Sequence, residues 1–123
     1  TSTYDGAQYL KKYWEQKLKI RASELDIVDG SGLSPQNNVT TKAMNQIMQY
    51  AVKRPWFAEF NKSLPTYNQM TMKSGTINGT LGYTGYHTAK DGKKYTFSFL
   101  VYNYAEGGAQ MRQRMFTLLN TLK

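Results

Sequence analysis

Apolar positions recur with two different periods along this chain, and the change falls near Asn68. Before it the spacing is helical. Ser2 with Asp5 three residues on fits a capping box, and Ala7, Leu10, Trp14 and Leu18 follow on one helical face. A short alternating stretch carries Leu25 and Ile27 and ends at Asp29-Gly30-Ser31-Gly32, where closely spaced glycines mark a tight turn. That loop continues through Pro35 to Asn38. Thr40 or Thr41 then caps a second helix bearing Met44, Ile47, Met48 and Ala51. Pro55 stops it and opens a short third helix through Trp56, Phe57 and Phe60, which Pro65 ends.

Beyond Asn68 the period becomes two. Strands are predicted over Gln69–Thr76, Leu81–Thr88 and Lys94–Tyr104, the last two joined through Lys90-Asp91-Gly92, a hairpin signal. In the third strand Tyr95, Phe97, Phe99 and Val101 share one face, and Thr96, Ser98, Leu100 and Tyr102 share the other. Apolar bulk on both faces predicts a central strand covered by helices. Gly107-Gly108 releases the chain into a final amphipathic helix whose inner stripe is Met111, Met115, Leu118 and Leu122, joined by Phe116 and Leu119. The fold class is therefore α+β, an antiparallel sheet of about three strands covered by helices.

Composition narrows this. A chain of 123 residues, 40% hydrophobic and 14% aromatic, can fill one compact core, and its charged fraction of 20% argues against disorder. Net charge is +8 and the sequence pI about 9.7, a balance that favours acidic partners. The basic residues are spread from Lys11 to Lys123 with no run longer than a pair, so no nucleic-acid arm stands out. The absence of cysteine excludes disulfides, thiolate-bound metals and cysteine catalysis. No apolar stretch approaches the roughly 20 residues that span a bilayer. His87, the one histidine, has no carboxylate cluster near it in sequence and reads as a strand residue facing solvent rather than a metal ligand.

The segment with most chemical content is Lys73-Ser74-Gly75-Thr76. On a strand, period two places the Ser74 and Thr76 hydroxyls on one side with no side chain at Gly75 between them. A substrate backbone can lie against such a strand as an added partner. Lys73 supplies a positive charge that attracts a terminal carboxylate or favours deprotonation of a neighbouring hydroxyl. Backbone N–H groups on the same margin can face a developing oxyanion.

Lys-(Ser/Thr)-Gly is one of three motifs shared by penicillin-binding proteins and serine β-lactamases, beside Ser-x-x-Lys and Ser-x-Asn. Three blocks of this chain resemble the D-alanyl-D-alanine carboxypeptidase/endopeptidase family typified by penicillin-binding protein 4. They are Asp29-Gly30-Ser31-Gly32-Leu33-Ser34 with the Asn37–Thr40 stretch, Lys73-Ser74-Gly75-Thr76 with Gly85-Tyr86, and Phe97 through Tyr104. Order and rough spacing agree over nearly the whole chain. The resemblance implies the C-terminal part of a single β-lactamase/transpeptidase-like domain, with residues 1–66 mainly helical and 67–123 forming strands and the last helix. Lys73 would aid proton transfer, Ser74 and Thr76 would hold the carboxylate of a terminal D-Ala or a β-lactam, and the Thr76 N–H would supply half an oxyanion hole. Asp29, Gly30, Ser31 and Gly32 would be structural, shaping a wall of the cleft.

The departures are equally informative. No Ser-x-x-Lys and no Ser-x-Asn occurs in the chain, and the stretch from Leu64-Pro65 to Lys73 is shorter than the family's usual connection. Both missing motifs lie upstream in this family, so truncation is the expectation, and with it an inactive isolated chain. The implied substrate is a peptidoglycan stem peptide ending in D-Ala-D-Ala, with β-lactams as mimics, no metal or organic cofactor and no nucleic acid. The implied location is periplasmic or otherwise extracytoplasmic, and the sheet, lacking strands from the N-terminal half, is expected to pair with a second copy, swap elements or remain marginally stable. In a bacterial family the acceptor patterns Asn38-Val39-Thr40 and Asn78-Gly79-Thr80 carry no glycosylation meaning. The alternative reading is a non-catalytic basic module that binds peptidoglycan or nucleic acid.

Overall fold

A computed structural model of the chain describes residues 2–77 and 79–123, and Asn78 of the second acceptor pattern lies outside them. Two compact units are present, one running to Ile47 and the other from Met48 to Lys123.

In the first unit, helix α1 spans Thr3–Leu18 and opens on the expected capping box. Asp5 N–H donates to Ser2 Oγ at 3.1 Å and Ser2 N–H donates to Asp5 Oδ2 at 2.9 Å. Lys19 closes it in the left-handed region, its N–H donating to the Glu15 carbonyl. Trp14 and Leu18 pack on a small core of Ile20, Leu25 and Ala43, but Leu10, expected on the same stripe, is 45% exposed. Strands β1 (Leu25–Asp26) and β2 (Asn38–Val39) form an antiparallel ribbon that brackets the glycine-rich loop. Thr40 Oγ1 then accepts from the Ala43 N–H at 3.0 Å and caps helix α2 (Thr41–Val52).

The second unit is layered. Helix α3 (Phe57–Ser63) follows Pro55, and Pro65 ends that segment as expected. A four-stranded antiparallel sheet comes next, ordered β3 (Thr66–Tyr67), β4 (Met70–Ile77), β5 (Thr80–Thr88) and β6 (Lys94–Tyr102). Helix α4 (Gly108–Leu119) returns across it. The core between α4 and the sheet joins Met70, Met72, Leu81, Tyr83 and Phe97 to Met115 and Leu119, with Phe99, Val101, Met111, Phe116 and Leu122 packed against it. Leu118, expected on the inner stripe of α4, is 60% exposed; Met111, Met115 and Leu119 at i, i+4 and i+8 take that role.

Tyr86 marks the opposite face. Its ring meets Phe57 edge-on at 5.0 Å, and its hydroxyl donates to the Met48 carbonyl at 2.5 Å. Burial pushes the Tyr86 hydroxyl up to about 12. Thr84 and Ser98 link their hydroxyls across the ladder at 2.9 Å on this face.

Among the described residues strand β6 pairs with β5 alone, from Thr80↔Tyr102 to Thr88↔Lys94, and so lies at an edge. The sequence pattern predicted a central position. Apolar side chains on both faces report cover above and below a strand, which β6 has; they carry no information about neighbours to its left and right.

Candidate active-site edge

The order β3-β4-β5-β6 leaves β4 second from the margin, but β3 is only two residues long. It pairs Thr66 with Thr71 and Tyr67 with Met70, and the last contact is the Met72 N–H donating to the Pro65 carbonyl at 3.0 Å. Among the described residues no strand lies against the outer side of β4 from Lys73 to Ile77. This margin is open.

Strand geometry fixes what it presents. Because the Met72 N–H points outward, those of Ser74 and Thr76 do as well, while Lys73, Gly75 and Ile77 turn their backbone groups toward β5. The Ser74 carbonyl, aimed outward, is met by the Lys73 ammonium at 2.7 Å. Side chains alternate independently of this. Ser74 sits opposite Tyr83 and Thr76 opposite Leu81, so both hydroxyls rise on the α4 face; Lys73 and Gly75 sit opposite Thr84 and Gly82 on the other face. The structure thus brings Ser74 and Thr76 together and places the Lys73 side chain across the strand from them.

Two neighbours escaped sequence reasoning. Ser74 Oγ donates to the Tyr67 hydroxyl at 3.3 Å, and the Tyr67 ring meets Tyr83 edge-on at 6.0 Å. Burial raises the Tyr83 hydroxyl above its ordinary range, partly offset by the guanidinium of Arg112 beside it. The signal that could have found Tyr67 is slight. Strands β3 and β4 join through Asn68 and Gln69, both left-handed at φ 53° and 60°, the pattern of a type I′ hairpin without its usual glycine. Asn68 tolerates that conformation better than most residues, and its side chain anchors the turn by donating to Asn120 Oδ1 at 2.9 Å and the Phe116 carbonyl at 3.4 Å.

Gly85 keeps the ladder close here. A Cβ at that position would stand 2.1 Å from the Thr71 carbonyl oxygen and 2.6 Å from Met72 Cα, so only glycine lets β4 lie flush on β5.

The Asp29–Gly32 loop, in the first unit, is built differently. Asp29 Oδ1 accepts from the Ser31 hydroxyl at 2.7 Å and the Ser31 N–H at 3.0 Å, and Ser31 Oγ accepts from the Leu33 N–H at 3.0 Å. Asn37 closes the base, donating to the Asp29 carbonyl at 3.1 Å and accepting from the Val28 N–H at 2.8 Å. Gly32 takes φ 72°, a value that favours glycine. The Ser31 donors hold the Asp29 carboxyl below the ordinary carboxylate range.

An antiparallel sheet backed by a C-terminal helix, with a Lys-Ser-Gly-Thr margin left open, is the α+β fold that the sequence resemblance implies. More narrowly, the family model of the D-Ala-D-Ala carboxypeptidase 3 (S13) family matches residues 1–122, and the chain belongs to that family. Its fold is similar to that of penicillin-binding protein 4 from Haemophilus influenzae. The crystal structure of that protein complexed with a β-lactam gives a TM-score of 0.75 at 24% identity, covering 90% of this chain and 31% of that one. A second crystal structure of the same protein gives 0.70 at 24% identity, with 90% and 30% covered. The chain therefore spans under a third of the length of the proteins whose fold it shares.

Proposed function

We propose that this chain supplies the carboxylate-holding and oxyanion-stabilising wall of a serine-type D-Ala-D-Ala carboxypeptidase or endopeptidase that acts on peptidoglycan stem peptides outside the cytoplasm. The observation that carries the reading is the open margin of β4, where the Ser74 and Thr76 hydroxyls share a face and their N–H groups point outward.

A stem peptide laid along that margin adds a short strand to the sheet. Its terminal carboxylate accepts from the Ser74 and Thr76 hydroxyls, in charge-assisted bonds stronger than neutral ones. The scissile carbonyl faces the Thr76 N–H, which is fixed by the sheet before charge develops on that oxygen. The attacking serine belongs to a Ser-x-x-Lys segment, which these residues do not contain. Its oxygen adds to the penultimate D-Ala carbonyl carbon, the C–N bond breaks, and the leaving amine takes up a proton as terminal D-Ala departs. Water then hydrolyses the acyl ester. Lys73 serves proton transfer electrostatically, its ammonium lying one backbone carbonyl from the margin. The reaction needs no cofactor, and a β-lactam enters as a mimic of the same terminus. The loop at Asp29–Gly32 contributes shape, since its polar groups bond to one another.

Fluorescent penicillin tests this directly. The 123-residue chain should form no covalent adduct, and a longer form that includes a Ser-x-x-Lys segment should form one. A labelled band at the mass of the chain itself, or none for the longer form, overturns the reading. Among the described residues nothing pairs with the outer side of β6, which further supports pairing with a strand from a second copy, checked by light scattering as a dimer mass.

A further inference from the structure

A carboxylate on the α4 face of β4 meets two neutral hydroxyls, and the Lys73 side chain is on the other face, engaged with the Ser74 carbonyl. A counter-charge must come from elsewhere. Across the ladder from Ser74 stands Tyr83, whose hydroxyl has the Arg112 guanidinium beside it. That guanidinium folds back over the first turn of α4, its two terminal nitrogens 4.0 Å from where a Gly108 Cβ would stand, next to the Tyr104 hydroxyl. Arg114 provides a contrast within the same helix. It is paired with Glu106 at 3.2 Å, whereas among the described residues no carboxylate lies within ion-pair distance of Arg112. A guanidinium with no carboxylate partner among the described residues therefore stands beside the Tyr83 hydroxyl; the Tyr83 ring meets the Tyr67 ring, and the Tyr67 hydroxyl bonds to Ser74 at the open margin.

We propose that Arg112 is a binding residue for the terminal carboxylate of a peptide lying along β4, with Tyr83 as the positioning residue that aims its guanidinium. This rests on the reading above and adds to it the residue that makes the site select an acid over an amide. Guanidinium is suited to the task because it is weakly hydrated, permanently charged and matches a carboxylate's two oxygens. In the unliganded protein Ser74 Oγ donates to Tyr67; with an acid terminus present it turns to the carboxylate, and Tyr67 is left as a neighbour on the site's outer side.

The test uses the 123-residue chain and two probes, N,N′-diacetyl-L-Lys-D-Ala-D-Ala and the same peptide with a C-terminal amide, titrated against 15N-labelled protein. The acid should shift the Arg112 Nε–Hε resonance together with the Ser74 and Thr76 amides. Arg112→Gln should weaken the acid about tenfold, the loss of one charge-assisted bond, and leave the amide unchanged. Arg112→Lys should recover part of that loss and Tyr83→Phe should lose less than Arg112→Gln, each at an unchanged melting temperature for the Arg112 variants. If the β4 amides shift while Arg112→Gln binds the acid as tightly as wild type, the peptide site stands and the role of Arg112 falls. If neither probe moves any β4 resonance, both fall.

Discussion

Two segments of this chain, Asp29-Gly30-Ser31-Gly32 and Lys73-Ser74-Gly75-Thr76, each set a serine beside a glycine and near a charged residue, and the fold treats them in opposite ways. In the first, carboxylate, hydroxyl and amide groups bond to each other within the loop. In the second, the strand satisfies its inner side through β5 and leaves outward donors and two hydroxyls at a margin. A serine beside a glycine is thus architectural where its hydrogen-bonding capacity is filled locally, and available to a ligand where the backbone leaves it over. The difference is visible only once the partners are known.

The severest way to break the contrast is to spoil the margin from beneath. Gly85→Val pushes a side chain into the Thr71 carbonyl and the Met72 backbone, and should cost about 3 kcal/mol in urea unfolding while abolishing peptide binding. Replacing the hydroxyls alone is milder and more selective. Ser74→Ala with Thr76→Val should lower affinity for a D-Ala-D-Ala acid by about 2 kcal/mol, yet cost at most about 1 kcal/mol of stability, because Thr76 is exposed and Ser74 is only half-buried. The mirror experiment is Ser31→Ala, which removes the hydroxyl that spans Asp29 and the Leu33 N–H. It should lower the melting temperature by a few degrees and leave peptide affinity unchanged; a binding defect there would erase the distinction.

The smallest effect is in pH. The Ser31 hydroxyl, and then its N–H, hold the Asp29 carboxyl below its ordinary value of 3.8. A carboxylate depressed on folding stabilises the protein fully above its unfolded pKa, and that contribution disappears as pH falls through the folded value. The stability gap between wild type and Ser31→Ala should therefore narrow in acid below about pH 4, and the Asp29 carboxyl resonance in the variant should titrate nearer the usual range. An unchanged gap between neutral pH and pH 3 would remove the Asp29 contact as its cause.

Much of the framework was legible in the residues. Ser2 and Asp5 spell a capping box and make one, and Asp91-Gly92 predicts a hairpin in which Gly92 takes φ 86° and Asp91 Oδ1 accepts from the Lys93 N–H. Strands expected at Gln69–Thr76 and Leu81–Thr88 begin and end within a residue of β4 and β5. What escaped has physical reasons. Strands β2 and β3 are two residues long and possess no period to detect, and the Asn68-Gln69 turn reaches left-handed geometry through its Asn120 and Phe116 contacts instead of a glycine. Leu118 and Leu119 are adjacent leucines, and composition cannot say which enters the core; the phase set by Met115 does. The Lys73–Thr76 segment stood out in the sequence because its pattern of residue types is chemically peculiar. The Tyr67 contact with Ser74 did not, because it forms only through the β3 turn.

Lys73 has a further consequence for the protein's behaviour in a crowded solution. An uncovered β margin invites any passing chain to zip onto it, which is how misassembly begins. With an ammonium already seated on the outward Ser74 carbonyl at 2.7 Å, a stray strand must strip a hydrated cation from its perch before it can engage there. The same lysine therefore acts as a stopper against casual strand pairing at this margin.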